Sequence, residues 1–140
     1  MNKYILDANV VFSALISGKQ LFIELFEHNQ FFAPDFIFVE LDKYRKVLLK
    51  KSNLPPAALQ DYIRKLFYQI TVIPAFYIID EHKIKAWELC RDIDEKDTAY
   101  VALSIDMQYP LVTRDQKLFS GLKAKGFNHV VLLDEIIRNG

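Results

Sequence analysis

The sequence predicts an α/β fold of three layers, α/β/α, around a central, mainly parallel sheet of four to five short strands. Two observations predict it. Short apolar runs alternate with segments of helical periodicity along the whole chain, the pattern of strand–helix–strand crossovers. The runs are short and apolar, as expected of strands covered on both faces. The 140 residues are near the usual size of one domain. No repeat, linker or low-complexity tract divides them, so residues 1–140 are expected to form a single domain.

The elements follow in order. Residues 3–7 form a β-rich run that ends at Asp7. Residues 9–17 and 19–28 read as helices separated at Gly18, and 30–33 as a strand. Asp35 is placed to cap a helix reaching Lys51. Pro55-Pro56 opens an amphipathic helix to Tyr68, since proline is tolerated in a first turn. Residues 70–73 are a strand and 81–90 a helix. Asp94 caps a helix to Met107. Residues 111–113 are a strand, followed by a helix over 116–125 that Gly126 ends. A strand over 130–133 and a short helix complete the chain.

Composition excludes several classes. No stretch is long and apolar enough for a transmembrane helix, and an acid at Asp7 interrupts the start where a signal peptide needs apolar length. A cytoplasmic protein with no membrane association is expected. Cys90 is the only cysteine, which excludes an internal disulfide and a cysteine-based zinc site; it reads as a small buried hydrophobe. His28, His82 and His129 have no metal-ligand spacing and read as surface residues. Eighteen basic and 18 acidic side chains leave zero net charge. A protein that binds nucleic acid by charge alone is basic, so any such contact here must rest on local patches or metal ions.

Parallel sheets bind ligands in the crevice beyond the carboxyl ends of their strands. Asp7 ends the first strand run and Asp115 follows the strand 111–113 by two residues. Each also suits a helix N-cap. Glu40 shares a helical stripe with Tyr44 and Val47, beside Ile37, Leu41 and Leu48, rather than the face of Lys43, Lys46 and Lys50. A carboxylate there must be paired, coordinated or protonated. Asp97 opens a mostly apolar stripe with Val101, Ser104 and Ile105. Asp94 and Asp97 have capping-box spacing, which makes Asp94 the cap and leaves Asp97 free. Two carboxylates about 4 Å apart repel by roughly 4 kcal/mol at an effective dielectric of about 20. Four in one crevice therefore need protons or a divalent cation. Hard oxygen ligands without histidine or thiolate indicate Mg²⁺ or Mn²⁺.

Four segments together resemble PIN-domain ribonucleases, particularly the VapC-like toxins of toxin–antitoxin pairs. Tyr4-Ile5-Leu6-Asp7-Ala8-Asn9-Val10 is similar to the family's first motif. Glu40 matches the helix glutamate of the second. Asp94-Glu95-Lys96-Asp97-Thr98-Ala99-Tyr100-Val101-Ala102-Leu103 is similar to the third. Leu111-Val112-Thr113-Arg114-Asp115-Gln116-Lys117-Leu118 is similar to the fourth. The resemblance spans essentially the whole chain. Two positions depart from the commonest pattern: Ala8 where Thr or Ser is frequent, and Arg114 where Gly is frequent. Arg114 puts a cation beside Asp115, either to meet a phosphate or to neutralise a ligand.

The resemblance implies a PIN-like fold, one or two Mg²⁺ or Mn²⁺ ions, and hydrolysis of RNA phosphodiester bonds. It also implies a homodimer and a small antitoxin partner. Asp7, Asp97 and Asp115 are expected as principal metal ligands, directly or through water. Glu40 is expected to bind through water or to orient the nucleophile. Asn9 and Thr113 are candidates to orient Asp7 and Asp115. Lys43, Lys46, Lys50 and Arg114 are candidates for RNA phosphates, with Arg45 and Lys51 in the same basic cluster. Tyr44, Trp87 and Phe119 are candidates to stack bases. Phe22 and Phe26 are candidates for a dimer or antitoxin groove, against the ordinary reading of core.

Two other functions compete. A haloacid-dehalogenase-like phosphatase also starts with an Asp after its first strand, but needs a second Asp two residues on as general acid, where this chain has Asn9. A catalytically weak PIN-like module that binds RNA or protein accords with zero net charge and Arg114; the four acids oppose it.

Overall fold

The computed structural model describes residues 1–139. Its elements are β1 (Lys3–Leu6), α1 (Ala8–Ser17), α2 (Gln20–Glu27), β2 (Gln30–Pro34), α3 (Phe36–Lys43), α4 (Arg45–Lys51), α5 (Pro56–Tyr68), β3 (Ile70–Ile73), α6 (Asp80–Cys90), α7 (Thr98–Met107), β4 (Leu111–Thr113), α8 (Gln116–Ala124), β5 (Val130–Leu132) and α9 (Leu133–Asn139). The five strands form one sheet in the order β3-β2-β1-β4-β5, and every pairing is parallel.

Successive strand residues point to opposite faces of a sheet. Ile5 and Leu6 are both fully buried, as are Leu111 and Val112. Helices therefore cover both faces, and each such aliphatic side chain contributes about 1.5–3 kcal/mol by leaving water. α7 packs against β1 and β2, and α1 against β4, α3 and α4. The chain runs outward from β1 through β2 to β3, then returns to β4 beside β1. This reversal leaves a crevice past the carboxyl ends of β1 and β4. Gly18 closes α1 in the left-handed conformation at φ 64°, donating its N–H to Ala14 O. A side chain there would also meet Leu54.

Several expectations need correction. The helix expected over 35–51 is two helices, interrupted at Tyr44 (φ −102°, ψ 12°). Glu40, Tyr44, Val47 and Leu48 still line one pocket across that break, with Val47 44% exposed. Asp35 gives α3 no side-chain cap; its carboxylate instead accepts from the Ala75 N–H at 3.4 Å. The helix expected from Asp94 begins as a 3-10 turn over Glu95–Asp97. His82 is half-buried rather than a free surface residue, bonded to Asp106 at 2.8 Å. Phe22 and Phe26 are buried core, which removes them from any partner groove. Among the described residues, no helix is long and apolar enough to cross a membrane.

Candidate functional site

Asp7 follows β1 and Asp115 follows β4 by two residues, and the Asp7 N–H donates to Val112 O at 3.1 Å. The neighbouring strands thus bring two acids from distant sequence to the crevice. Their side chains differ. Asp115 caps α8, accepting from the Leu118 N–H at 3.1 Å. Asp7 makes no side-chain cap for α1. It is 4% exposed and accepts from the Thr113 hydroxyl at 2.8 Å.

Thr113 is the joint of the site. While donating to Asp7, its hydroxyl oxygen accepts from the Asn9 amide at 3.2 Å and from the Asp115 N–H at 3.0 Å. Asn9 Oδ1 accepts from the Arg114 N–H at 3.1 Å. Asn9 and Thr113 therefore fix the backbone around both acids. Asn9 is an amide held by this network and cannot serve as the general acid of a dehalogenase-like phosphatase.

Glu40 and Asp97 approach from the helices. Asp94 caps the 3-10 turn, accepting from the Lys96 N–H at 3.1 Å, and Asp97 makes no cap bond. Its Oδ2 is enclosed by protein with no hydrogen-bond partner. One turn further along α7, the Tyr100 hydroxyl donates to Glu40 Oε1 at 2.5 Å. Tyr100 is fully buried and is the site residue that sequence reasoning missed. Its signal in the sequence is a phenol on a mostly apolar helix, three residues from Asp97.

One pocket of about 340 Å³ is lined by Asp7, Glu40, Asp97 and Asp115, with Asp94 and Lys96 also at its wall. Burial pushes the Asp97 carboxyl up to about 8, helped by the charges of Asp7, Asp94, Asp115 and Glu40. Burial pushes Asp7 up to about 6; Glu40 and Asp115 add to the rise, and the Thr113 hydrogen bond opposes it. These acids are short of positive charge, and the set consists of hard oxygen donors. An orphaned buried oxygen among them fits a divalent cation such as Mg²⁺ or Mn²⁺. Among the described residues, no three His, Cys, Asp or Glu side chains converge tightly enough to enclose an ion. The acids thus line a shared pocket rather than a closed coordination shell.

The cationic candidates lie elsewhere. Lys43, Lys46 and Lys50 are exposed and stand outside the lining, where Lys96 is the lysine present. The Arg114 guanidinium turns away from Asp115 and donates to Ser13 Oγ. Tyr44 lines the pocket; Trp87 and Phe119 do not. Cys90 is fully buried, with its thiol pushed up to about 12 chiefly by burial.

Comparison with known proteins agrees with this architecture. A family model described as PIN domain matches residues 5–133. Among solved structures, the chain is similar to one in the crystal structure of VapBC2 from Rickettsia felis bound to a DNA fragment from their promoter. The two are 17% identical with a TM-score of 0.55, over 93% of this chain and 96% of that chain. No curated protein matches.

Proposed function

Because this chain belongs to the PIN-domain family, we propose that it is a metal-dependent endoribonuclease and the toxin of a toxin–antitoxin pair. The observation that carries the nuclease reading is the buried, unpartnered Oδ2 of Asp97 in a pocket shared with Asp7, Glu40 and Asp115. Phosphodiester hydrolysis needs an activated water and relief of charge on the phosphoryl oxygens. A bound Mg²⁺ or Mn²⁺ would supply both, by lowering the pKa of water and polarising the phosphate.

The protein's own groups do the rest. Asp7, Asp97 and Asp115 would hold the ion. Thr113 aims Asp7 by donating to one of its oxygens. Asn9 steadies Thr113 and the Arg114 backbone. Glu40, fixed by Tyr100, orients or deprotonates the attacking water. Lys96 and the lysines of α3 and α4 attract the RNA backbone.

The toxin role rests on the likeness of the four motifs to VapC-like toxins and on the VapBC2 neighbour. It implies a small antitoxin partner, a homodimer and a cytoplasmic setting. A binding module without turnover is the second reading, favoured by the open arrangement of the acids.

The test is cleavage of a mixed RNA pool by the purified protein with Mn²⁺, with EDTA, and as Asp97→Asn. Cleavage that needs metal and disappears in Asp97→Asn is expected. Neither cleavage nor calorimetric Mn²⁺ binding by the folded protein supports the second reading, whereas Mn²⁺ binding without cleavage indicates a substrate absent from the pool; cleavage undiminished in EDTA overturns the metal-dependent reading.

A further inference from the structure

The pocket that gathers the acids is apolar along its other side. Phe12 and Ile16 of α1 form this wall with Tyr44, Val47 and Leu48 of the α3–α4 arm. The break between the two helices falls at Tyr44. The Tyr44 ring packs edge-on to Phe12, with centroids 5.4 Å apart and planes at 79°. Val47 is left 44% exposed, an aliphatic side chain facing water beside a strongly acidic floor.

A metal ion and a phosphate have no use for such a wall. A nucleobase does: its flat face stacks on aromatic and aliphatic side chains whatever its identity. The rim has the matching charge. Lys43 Nζ stands 5.5 Å from the centroid of the Tyr44 ring, and Lys96 lines the same pocket. Acids, apolar side chains and a lysine in one pocket match the parts of a nucleotide: a phosphate for the metal-binding acids and the lysine, and a base for the apolar side chains. A base inside a duplex has no free face to offer.

We propose that Phe12, Tyr44 and Val47 form a stacking subsite for an unpaired nucleobase adjacent to the scissile phosphate. This rests on the nuclease reading above and adds a binding site to it.

The test uses an oligoribonucleotide that the native protein cuts with Mn²⁺, and the same oligonucleotide made abasic at each nucleotide flanking the cut. Tyr44→Leu is expected to raise KM roughly 5- to 150-fold, the worth of one stacked base. Tyr44→Phe, which keeps the ring, is expected to retain the native KM. One abasic substitution is expected to raise the native KM by a similar factor, and Tyr44→Leu to add nothing on that substrate. Val47→Asn, a neutral change of similar size at an exposed position, gives the same reading should Tyr44→Leu fail to fold. Metal-dependent cleavage with a KM indifferent to Tyr44 and Val47 removes the subsite and leaves the nuclease standing. A Tyr44→Leu effect undiminished on every abasic substrate assigns the wall to folding or to a protein segment, and also overturns the proposal. An absence of cleavage by the native protein removes both readings.

Discussion

Tyr100 and Glu40 are joined by a 2.5 Å hydrogen bond from phenol to carboxylate, sixty residues apart in sequence. Tyr100 is fully buried, so Glu40 satisfies the only polar atom of a large core side chain. The bond couples the core under α7 to a half-buried acid on α3. Burial and the Glu40 charge together raise the Tyr100 phenol above its ordinary range, so it stays a donor at any working pH. Tyr100→Phe keeps the packing and frees Glu40 to rotate. Loss of such an orienting partner typically costs roughly 10- to 100-fold in activity or metal affinity. The stability loss is smaller, about 1–2 kcal/mol, because Glu40 can be rehydrated. Cleavage rates and urea unfolding of the same variant separate the two effects. Native turnover in a folded Tyr100→Phe protein would leave the bond a purely structural one.

Thr113 makes a sharper prediction, because one hydroxyl serves three partners. Thr113→Val has nearly the same shape and leaves the Asp7 oxygen, the Asn9 amide and the Asp115 N–H each short of a partner. Destabilisation of at least about 2 kcal/mol is expected. Thr113→Ser, which restores the hydroxyl, should recover most of it. Denaturant midpoints of the three proteins decide the matter. Equal midpoints for Val and Ser would mean that the hydroxyl network contributes nothing.

The raised carboxyls imply a pH dependence whose sign is unusual for acidic residues. Asp7 stands at about 6 and Asp97 at about 8, against an ordinary aspartate value of 3.8. Between these values and 3.8 the folded protein holds protons that the unfolded chain has released. Stability of the metal-free protein is therefore greatest below about pH 4 as far as these two groups are concerned, and it falls as pH rises toward 8. Thermal melts in EDTA at pH 5 and pH 8 should show the lower midpoint at pH 8. Asp97→Asn should raise the pH 8 midpoint, and saturating Mn²⁺ should stabilise the native protein more at pH 8 than at pH 5, because it displaces fewer protons there. A metal-free midpoint that climbs from pH 5 to pH 8 would contradict the burial of these acids.

These side chains show how far the sequence could be read. The alternation of apolar runs and helices gives the parallel sheet, and the strand ends give Asp7 and Asp115, because both follow from local periodicity. Asp97 was legible through Asp94, whose capping spacing left it free. What was not legible is set by tertiary contact. The break at Tyr44 involves neither Gly nor Pro, and nothing local marks it, so local periodicity reads one continuous helix where there are two. The pairing of Tyr100 with Glu40 joins two segments that local periodicity treats separately. His82 has no local feature that signals its bond to Asp106. The lysine that reaches the pocket, Lys96, is a single cation in an acidic motif, whereas the run on α4 drew attention by its density.

Arg114 is the position where the chain departs from the family's common glycine, and the geometry separates its two readings. A cation that neutralised Asp115 would stand against that carboxylate. The guanidinium instead donates to Ser13 Oγ on α1, and Asp115 spends one oxygen on the α8 cap. Arg114 is exposed and outside the pocket lining, and a phosphate binds guanidinium more strongly than its hydroxyl partner does. Arg114→Ala should therefore leave the calorimetric Kd for Mn²⁺ within about twofold, since a distant exposed charge in water interacts weakly. The same variant should weaken binding of single-stranded RNA and reduce the slope of log K against log salt by roughly 0.7, the share of one phosphate contact. Mn²⁺ binding that tightens tenfold or more in Arg114→Ala would reverse the assignment, making the arginine a competitor of the ion at Asp115. An unchanged salt slope would remove Arg114 from the RNA contact.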